Sequence, residues 1–197
     1  MEDYNSGVEY NNQAIKDMEA GDFKKAAEGF HQACILSPST IGFRKNYVNA
    51  LNRSKVNPQT IIDESLVVLG MDPDEHKIAY NIGVTYLNDL KDNLKAADYF
   101  SYALKKDPNN LEYVMALASA LENTGEYDDT VFELYKNNVE RVTNDPYPFY
   151  RLALKYQDRN DFDLATSYME KAKSLDKEKG YAHHAYVRSC FYAGRLN

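Results

Sequence analysis

The apolar residues of segment 80–108 fall into two blocks with helical spacing, separated by a polar turn. In the first block Tyr80, Val84 and Leu87 recur at intervals of four and three residues around the small Gly83. The second block carries one apolar stripe, made of Ala96, Ala97, Phe100, Ala103 and Leu104. It is followed by Pro108, and proline ends a helix because it lacks an N–H and crowds the preceding turn. The pattern predicts a helical hairpin whose apolar faces need neighbouring hairpins to cover them.

The same hairpin pattern recurs along the chain with a constant period. The small residue of each first helix recurs every 34 or 35 residues, at Ala14, Val48, Gly83, Ala118, Ala153 and Val187. A matching series on the second helices has the same spacing, at Ala26, Ile61, Ala96, Thr130 and Ala165. Two independent series with one period indicate a tandem array of hairpins, in which each unit is stabilised mainly by its neighbours.

The third repeat resembles the tetratricopeptide family, whose period is about 34 residues and whose pattern is W-x2-L-G-x2-Y, then A-x3-F, then P. The matching positions are Ala79, Ile82, Gly83, Tyr86, Ala96, Phe100 and Pro108. The resemblance covers roughly residues 8–194 and implies an all-α, right-handed solenoid of helix-turn-helix repeats. The predicted organisation is a tail at 1–7, five repeats at about 8–38, 41–73, 75–108, 109–143 and 146–177, and a final segment at 178–197. That segment is predicted to be either a capping helix or the first half of a sixth repeat.

Two repeats depart from the pattern. In the second, Ser65 stands where the third has Phe100, so the register around it is poorly defined, although Asn57-Pro58 is a good helix start. In the fourth, Asn137 and Asn138 replace a small apolar pair, which predicts a distortion or an altered packing angle near the end of that helix. The next helix is expected to begin at Pro146, capped by Asn144 or Asp145.

Composition and charge restrict the class of partner. The chain has 44% hydrophobic and 27% charged residues, which is typical of a folded protein, and a formal net charge of −7. Nucleic-acid binding rests mainly on Lys and Arg that neutralise phosphates, so no nucleic-acid partner is expected. Because no signal peptide or membrane-spanning run is visible, we expect no membrane insertion and a cytoplasmic location, unless an export signal has been removed. Cys34 and Cys190 lie in distant repeats and are predicted to be unpaired.

No motif for catalysis or cofactor binding is present in the sequence. Phosphate-binding glycine loops, a G-x-S-x-G elbow and C-x-x-C pairs are all absent. His183 and His184 are adjacent, whereas a helical metal pair needs a spacing of four residues. The sequence therefore predicts a protein that is not an enzyme and holds no metal and no cofactor.

The family resemblance implies that the first helices line a concave groove in which a peptide segment or helix of a partner lies. The register places on this groove Asn11, Ile15, Lys45, Asn49, Tyr80, Asn81, Val84, Met115, Ser119, Tyr150, Arg151, Leu154, His184 and Arg188. The chosen partner-binding residues are Lys45, Asn49, Tyr80, Asn81, Val84, Met115, Tyr150, Arg151, Leu154 and Arg188. Several of these residues are aromatic or aliphatic, which is more apolar character than a surface without a binding role requires. The predicted function is a non-catalytic interaction scaffold or adaptor.

Three alternatives accompany this prediction. Chaperone-binding members of the family hold a C-terminal carboxylate with a set that Lys45, Asn49 and Asn81 match in part, but Glu112 and Ala116 occupy its two remaining cationic positions. The incomplete final repeat suggests a targeting or assembly module of a longer protein. It also suggests self-association through the C-terminal helix, because apolar residues are spread around the segment 181–192.

Overall fold

The computed structural model describes residues 2–142 and 144–176, which form ten α-helices and no β-strand within those ranges. They divide into two compact units, Met1–Pro108 and Asn109–Asn197. Unit 1 contains α1 (Glu2–Glu19), α2 (Phe23–Leu36), α3 (Ile41–Arg53), α4 (Pro58–Met71), α5 (His76–Thr85) and α6 (Asn93–Lys106). Unit 2 contains α7 (Leu111–Glu122), α8 (Asp128–Asn138), α9 (Tyr147–Asp158) and α10 (Phe162–Leu175). No helix among the described residues is long and apolar enough to cross a membrane.

Helix α1 begins at Glu2, so most of the predicted tail at residues 1–7 belongs to the first helix. A tertiary contact accounts for the earlier start. The ring of Tyr4 stacks on Phe43 of α3 with centroids 6.4 Å apart, and Gly7 is buried against the same region. A Cβ on Gly7 would lie 3.0 Å from the hydroxyl of Ser37. Packing of Tyr4 and Gly7 therefore accompanies the extension of α1 into the predicted tail, and local sequence signals do not report such contacts. The final segment 178–197 lies outside the described residues.

A small residue and a large one complement each other in the third repeat. In the third repeat the buried ring of Phe100 lies directly on Gly83, where a Cβ would come within 2.6 Å of the ring. In the second repeat the sizes are reversed, because Val48 stands at the Gly83 position and Ser65 at the Phe100 position. Both residues are buried, and Val48 packs in a cluster with Ile62, Val68, Ile78 and Ile82. The register of this repeat is thus regular, although its aromatic residue is missing.

The burial of Ser65 leads to a stability prediction. Its side chain is fully buried (0% exposed), and its hydroxyl has no hydrogen-bond partner among the described residues. Burying an unpaired hydroxyl costs about 1–3 kcal/mol. We therefore expect Ser65→Ala to raise the free energy of unfolding by about 1 kcal/mol, measured by urea denaturation. A control is Ser54→Ala, because the buried hydroxyl of Ser54 donates to the Leu51 carbonyl at 3.0 Å and its loss should destabilise. A fall in stability for Ser65→Ala would contradict the assignment.

One turn of unit 1 departs from regular α-helix. After α5, residues Tyr86–Leu90 form a π-helical turn that ends at Lys91, whose φ of 57° is left-handed. The Asp92 N–H closes this turn on the Tyr86 carbonyl at 3.0 Å, and the ring of Tyr86 stacks on Tyr99 of α6. The sequence gives no sign of this turn.

The start of α4 is as predicted, since the Asn57 side chain accepts from the Gln59 N–H at 2.9 Å.

The predicted distortion in the fourth repeat is present. Helix α8 ends at Asn138 and continues as a 3-10 turn, Val139–Arg141. The Asn138 side-chain amide donates to the Leu134 carbonyl at 2.9 Å, at the point where the helix changes geometry. Burial also corrects the register by one residue: Thr130 is exposed and Val131 is fully buried, so Val131 takes the place predicted for Thr130.

The next helix, α9, starts as the sequence suggested. Pro146 precedes its first residue, Tyr147, and the Asp145 carboxylate accepts from the Tyr147 N–H at 2.9 Å. Asp145 is therefore the capping group rather than Asn144.

Cys34 is free and buried in α2, and this burial raises the pKa of its thiol to about 11. Cys190 lies outside the described residues.

Candidate functional site

The predicted binding residues of unit 1 lie on its first helices, α1, α3 and α5, and together we call them the unit 1 surface. It consists of Asn11, Ile15, Lys45, Asn49, Tyr80, Asn81 and Val84. Tyr80, Asn81 and Val84 are half-buried, and Asn49 is exposed. Lys45 and Tyr80, like Asn49 and Val84, stand 35 residues apart and occupy equivalent places on successive first helices. The surface therefore presents amide groups beside apolar side chains.

An asparagine pair connects α1 to α3 on this surface. The amide of Asn46 donates to the side-chain oxygen of Asn11 at 2.9 Å, and Asn11 is buried. Asn46 was absent from the predicted set, although it stands 35 residues before Asn81 and is half-buried like it. That spacing could have identified it from the sequence. The contact fixes the orientation of one side-chain amide beside Lys45.

Lys45 is already engaged in an ion pair within unit 1. Its ammonium lies 2.5 Å from a carboxylate oxygen of Glu75, the residue that precedes α5. The lysine is 41% exposed and the glutamate 21%, so solvent still reaches the pair and its contribution to stability is small. Its effect on binding is larger, because the charge available to a ligand carboxylate is largely neutralised. Glu75 was also missed by the sequence reasoning, since it lies 30 residues from its partner.

Tyr80 contributes to the core as well as to the surface. Its ring lies 5.4 Å from the ring of Phe100, tilted by 43°, and part of the side chain stays accessible. Aromatic pairs at this distance add about 0.5–1.5 kcal/mol beyond the burial of area. The position of Tyr80 is therefore fixed before any partner arrives, which lowers the entropy cost of binding.

The predicted residues of unit 2 lie on α7 and α9, and we call them the unit 2 surface. It consists of Met115, Ser119, Tyr150, Arg151 and Leu154, all of them half-buried. Arg151 is not a free cation. Its guanidinium contacts the Glu122 carboxylate at 2.6 Å and lies over the ring of Tyr147. Burial by itself lowers the pKa of the Arg151 guanidinium, but its hydrogen bond to Glu122 together with the charge of that carboxylate and of nearby tyrosines outweighs burial and raises the pKa.

Glu122 belongs to a chain of charged contacts that joins α7, α8 and α9. Lys155 lies 3.5 Å from Glu122 and 2.5 Å from Asp128, and Arg159 contacts Asp128 and Asp129 at 2.8 and 2.7 Å. The hydrogen bond from Lys155 holds the pKa of the Asp128 carboxyl below its usual value. Tyr135 donates to Glu122 at 3.4 Å, and burial strongly raises the pKa of this phenol. The network positions Arg151 and pairs its charge with Glu122.

The described residues contain no group of three or more His, Cys, Asp or Glu side chains arranged to hold a metal ion. Arg188 and His184, the remaining predicted residues, lie outside the described part of the chain. The two surfaces combine amide or charged side chains with apolar side chains.

Comparison with solved structures identifies proteins of the same fold. The crystal structure of MamA protein has 17% identity and a TM-score of 0.75, covering 88% of this chain and 93% of that chain. YrrB, described as a TPR protein with an unusual peptide-binding site, has 17% identity and a TM-score of 0.74, covering 90% of each chain. Pseudomonas aeruginosa pilF has 12% identity and a TM-score of 0.72, covering 99% of this chain and 87% of that chain. No protein-family model and no curated protein matches the sequence.

These likenesses agree with the sequence pattern. YrrB is a TPR protein, and its similarity extends over nearly the full length of both chains. The predicted all-α helix-turn-helix fold and the resemblance to tetratricopeptide repeats are therefore confirmed at the level of the fold.

Proposed function

We propose that this chain, which has the tetratricopeptide-repeat fold, is a non-catalytic scaffold that binds a peptide segment or helix of a partner protein. The observation that carries the proposal is that the half-buried Tyr80, Asn81 and Val84 lie together on α5, with the ring of Tyr80 packed against Phe100. The same combination of an aromatic and an aliphatic residue recurs on α9 as Tyr150 and Leu154. Each surface is a candidate binding site for part of an extended or helical segment of the partner.

The chemistry of the unit 1 surface defines the segment that fits it. Amide side chains such as Asn49 and Asn81 both donate and accept, so they suit the backbone groups of an extended chain. Val84 and the exposed edge of Tyr80 favour an apolar side chain of the ligand. Ordering a flexible segment offsets part of the contact energy, and we expect a micromolar affinity, about −8 kcal/mol.

A test of the unit 1 surface starts from a displayed library of random dodecapeptides selected against the full chain. For the selected peptides we expect Val84→Glu to weaken binding at least tenfold, because a carboxylate replaces the apolar contact. Leu66→Glu is the matched control, since Leu66 is an exposed apolar residue of the second helix α4 in the same unit. Affinities are measured by fluorescence anisotropy, and helicity by circular dichroism. Equal losses for the two variants, or no selected peptide sensitive to Val84→Glu, would count against the proposal.

The carboxylate-binding alternative makes a separate prediction. Because Glu75 pairs with Lys45, we expect the wild type to bind a C-terminally acidic pentapeptide only weakly, and Lys45→Ala to leave that binding unchanged. Glu75→Gln should free the ammonium and raise the affinity several-fold, since a charge-assisted hydrogen bond contributes about 1.5–3 kcal/mol and this site is partly exposed. Tight binding by the wild type that Lys45→Ala abolishes would make the acidic C-terminus the preferred ligand.

A further inference from the structure

A cleft of about 500 Å³ lies between α1 and α2 in unit 1 and belongs to neither binding surface described above. Its lining includes Tyr10, Ala14 and Gly29. Gly29 lets the two helices approach closely, because a Cβ there would lie 2.9 Å from the Cβ of Ala14. Tyr10 is 48% exposed, a large apolar side chain that no described helix covers completely. The cleft therefore has a tight apolar floor and an aromatic wall open to solvent.

Charge distinguishes this end of the chain from the other. The lining of the cleft contains two carboxylates, Asp17 and Glu28, with Lys25 and His31, whereas residues 181–192 contain Arg188 and no carboxylate. At the cleft, Lys25 is committed to the buried Asp17 at 3.0 Å, and Glu28 is exposed on the rim. The cleft thus favours a cationic ligand whose apolar groups pack against Tyr10.

The sequence of the C-terminal segment has this chemistry. Tyr181, Ala185 and Val187 belong to a set of apolar residues at helical and adjacent spacings that cannot all face one side of a helix. Arg188 and two histidines lie among them. If one face of such a segment were packed, several of its apolar residues would still be uncovered. The charge of the segment is opposite to that of the cleft.

We propose that residues 181–192 of a second molecule of this chain occupy the cleft between α1 and α2. The contact joins two different surfaces, so it is heterologous, and each molecule keeps one open cleft and one open segment after pairing. Association is then open-ended, and the mean mass rises continuously with concentration instead of stopping at a dimer. This contact is independent of peptide binding at the unit 1 and unit 2 surfaces.

Sedimentation equilibrium of the full chain over a hundredfold range of concentration tests the proposal. We expect Tyr10→Glu to weaken association at least tenfold. The control is Leu94→Glu, which replaces another exposed apolar residue of unit 1 outside the cleft and should leave association unchanged. A wild type that stays monomeric throughout, or association that Tyr10→Glu does not change, overturns the proposal.

A charge exchange identifies the occupant. Glu28→Arg and Arg188→Glu should each reduce association several-fold, and an equimolar mixture of the two variants should recover it, because each variant then offers the charge that the other needs. Failure of the mixture to recover association would show that Arg188 does not face Glu28 and would overturn the assignment of the segment. Peptide affinity at the unit 1 surface should be unchanged in Glu28→Arg, whose site lies outside that surface, so the two proposals succeed or fail separately.

Discussion

Replacing Phe100 with alanine is expected to lower the free energy of unfolding of the chain by about 3–5 kcal/mol, the cost of removing a large buried aromatic side chain. Phe100 is 1% exposed, packs directly on the backbone of Gly83, and orients Tyr80 with centroids 5.4 Å apart. Its loss opens a cavity between α5 and α6, next to Gly83. Urea denaturation followed by circular dichroism measures the change.

The matched control lies on the same helix. Leu94 is 50% exposed at the start of α6, and Leu94→Ala should change stability by no more than about 0.5 kcal/mol. Because hairpins in an array are coupled to their neighbours, the loss at Phe100 should also broaden the unfolding transition. Comparable losses for the two variants would mean that the contact of Phe100 with Gly83 contributes little to the stability of unit 1.

The contact between Phe100 and Gly83 illustrates what the sequence could predict. Gly83 belongs to the first series with a period of 34 or 35, and Phe100 stands four residues after Ala96 of the second series, so the repeat pattern places both residues on facing helices of one hairpin. The second repeat follows the same rule with the sizes exchanged between Val48 and Ser65. Periodicity therefore predicts the fold well, because it averages over local irregularities such as the missing aromatic residue.

The features that the sequence did not reveal depend on contacts between distant residues. Glu75 neutralises Lys45 across 30 positions, and Glu122 fixes Arg151 across 29 positions. Register places a side chain on a surface, but it does not indicate whether its charge is already paired. The correction at Val131 has a related cause, since one-residue shifts in a helix are resolved by burial. Two of the predicted cationic groups, Lys45 and Arg151, are thus engaged in ion pairs within the fold. The uncharged residues around them become the stronger candidates for recognition.

Gly83→Ala is expected to destabilise the chain in the wild-type background, although alanine is the better helix former. The new Cβ would lie 2.6 and 2.7 Å from two atoms of the Phe100 ring, which is buried and cannot turn away freely. Overpacking of this kind costs about 1–3 kcal/mol, while the gain in helix propensity is about 1 kcal/mol. Gly70→Ala is the matched control. Gly70 lies in α4 with no atom within 4 Å of its Cβ position, so this variant should gain up to about 1 kcal/mol.

The same substitution should change sign when the ring is absent. In a Phe100→Ala background the Cβ introduced by Gly83→Ala meets open space and partly fills the cavity, so it should stabilise by about 1 kcal/mol. Denaturation of the two single variants and the double variant gives a coupling energy, expected to be at least about 1 kcal/mol. Additive effects would show that the glycine is required by the backbone of α5 and not by the ring. A positive coupling instead identifies ring-on-backbone packing as the reason for a glycine at this position of the repeat.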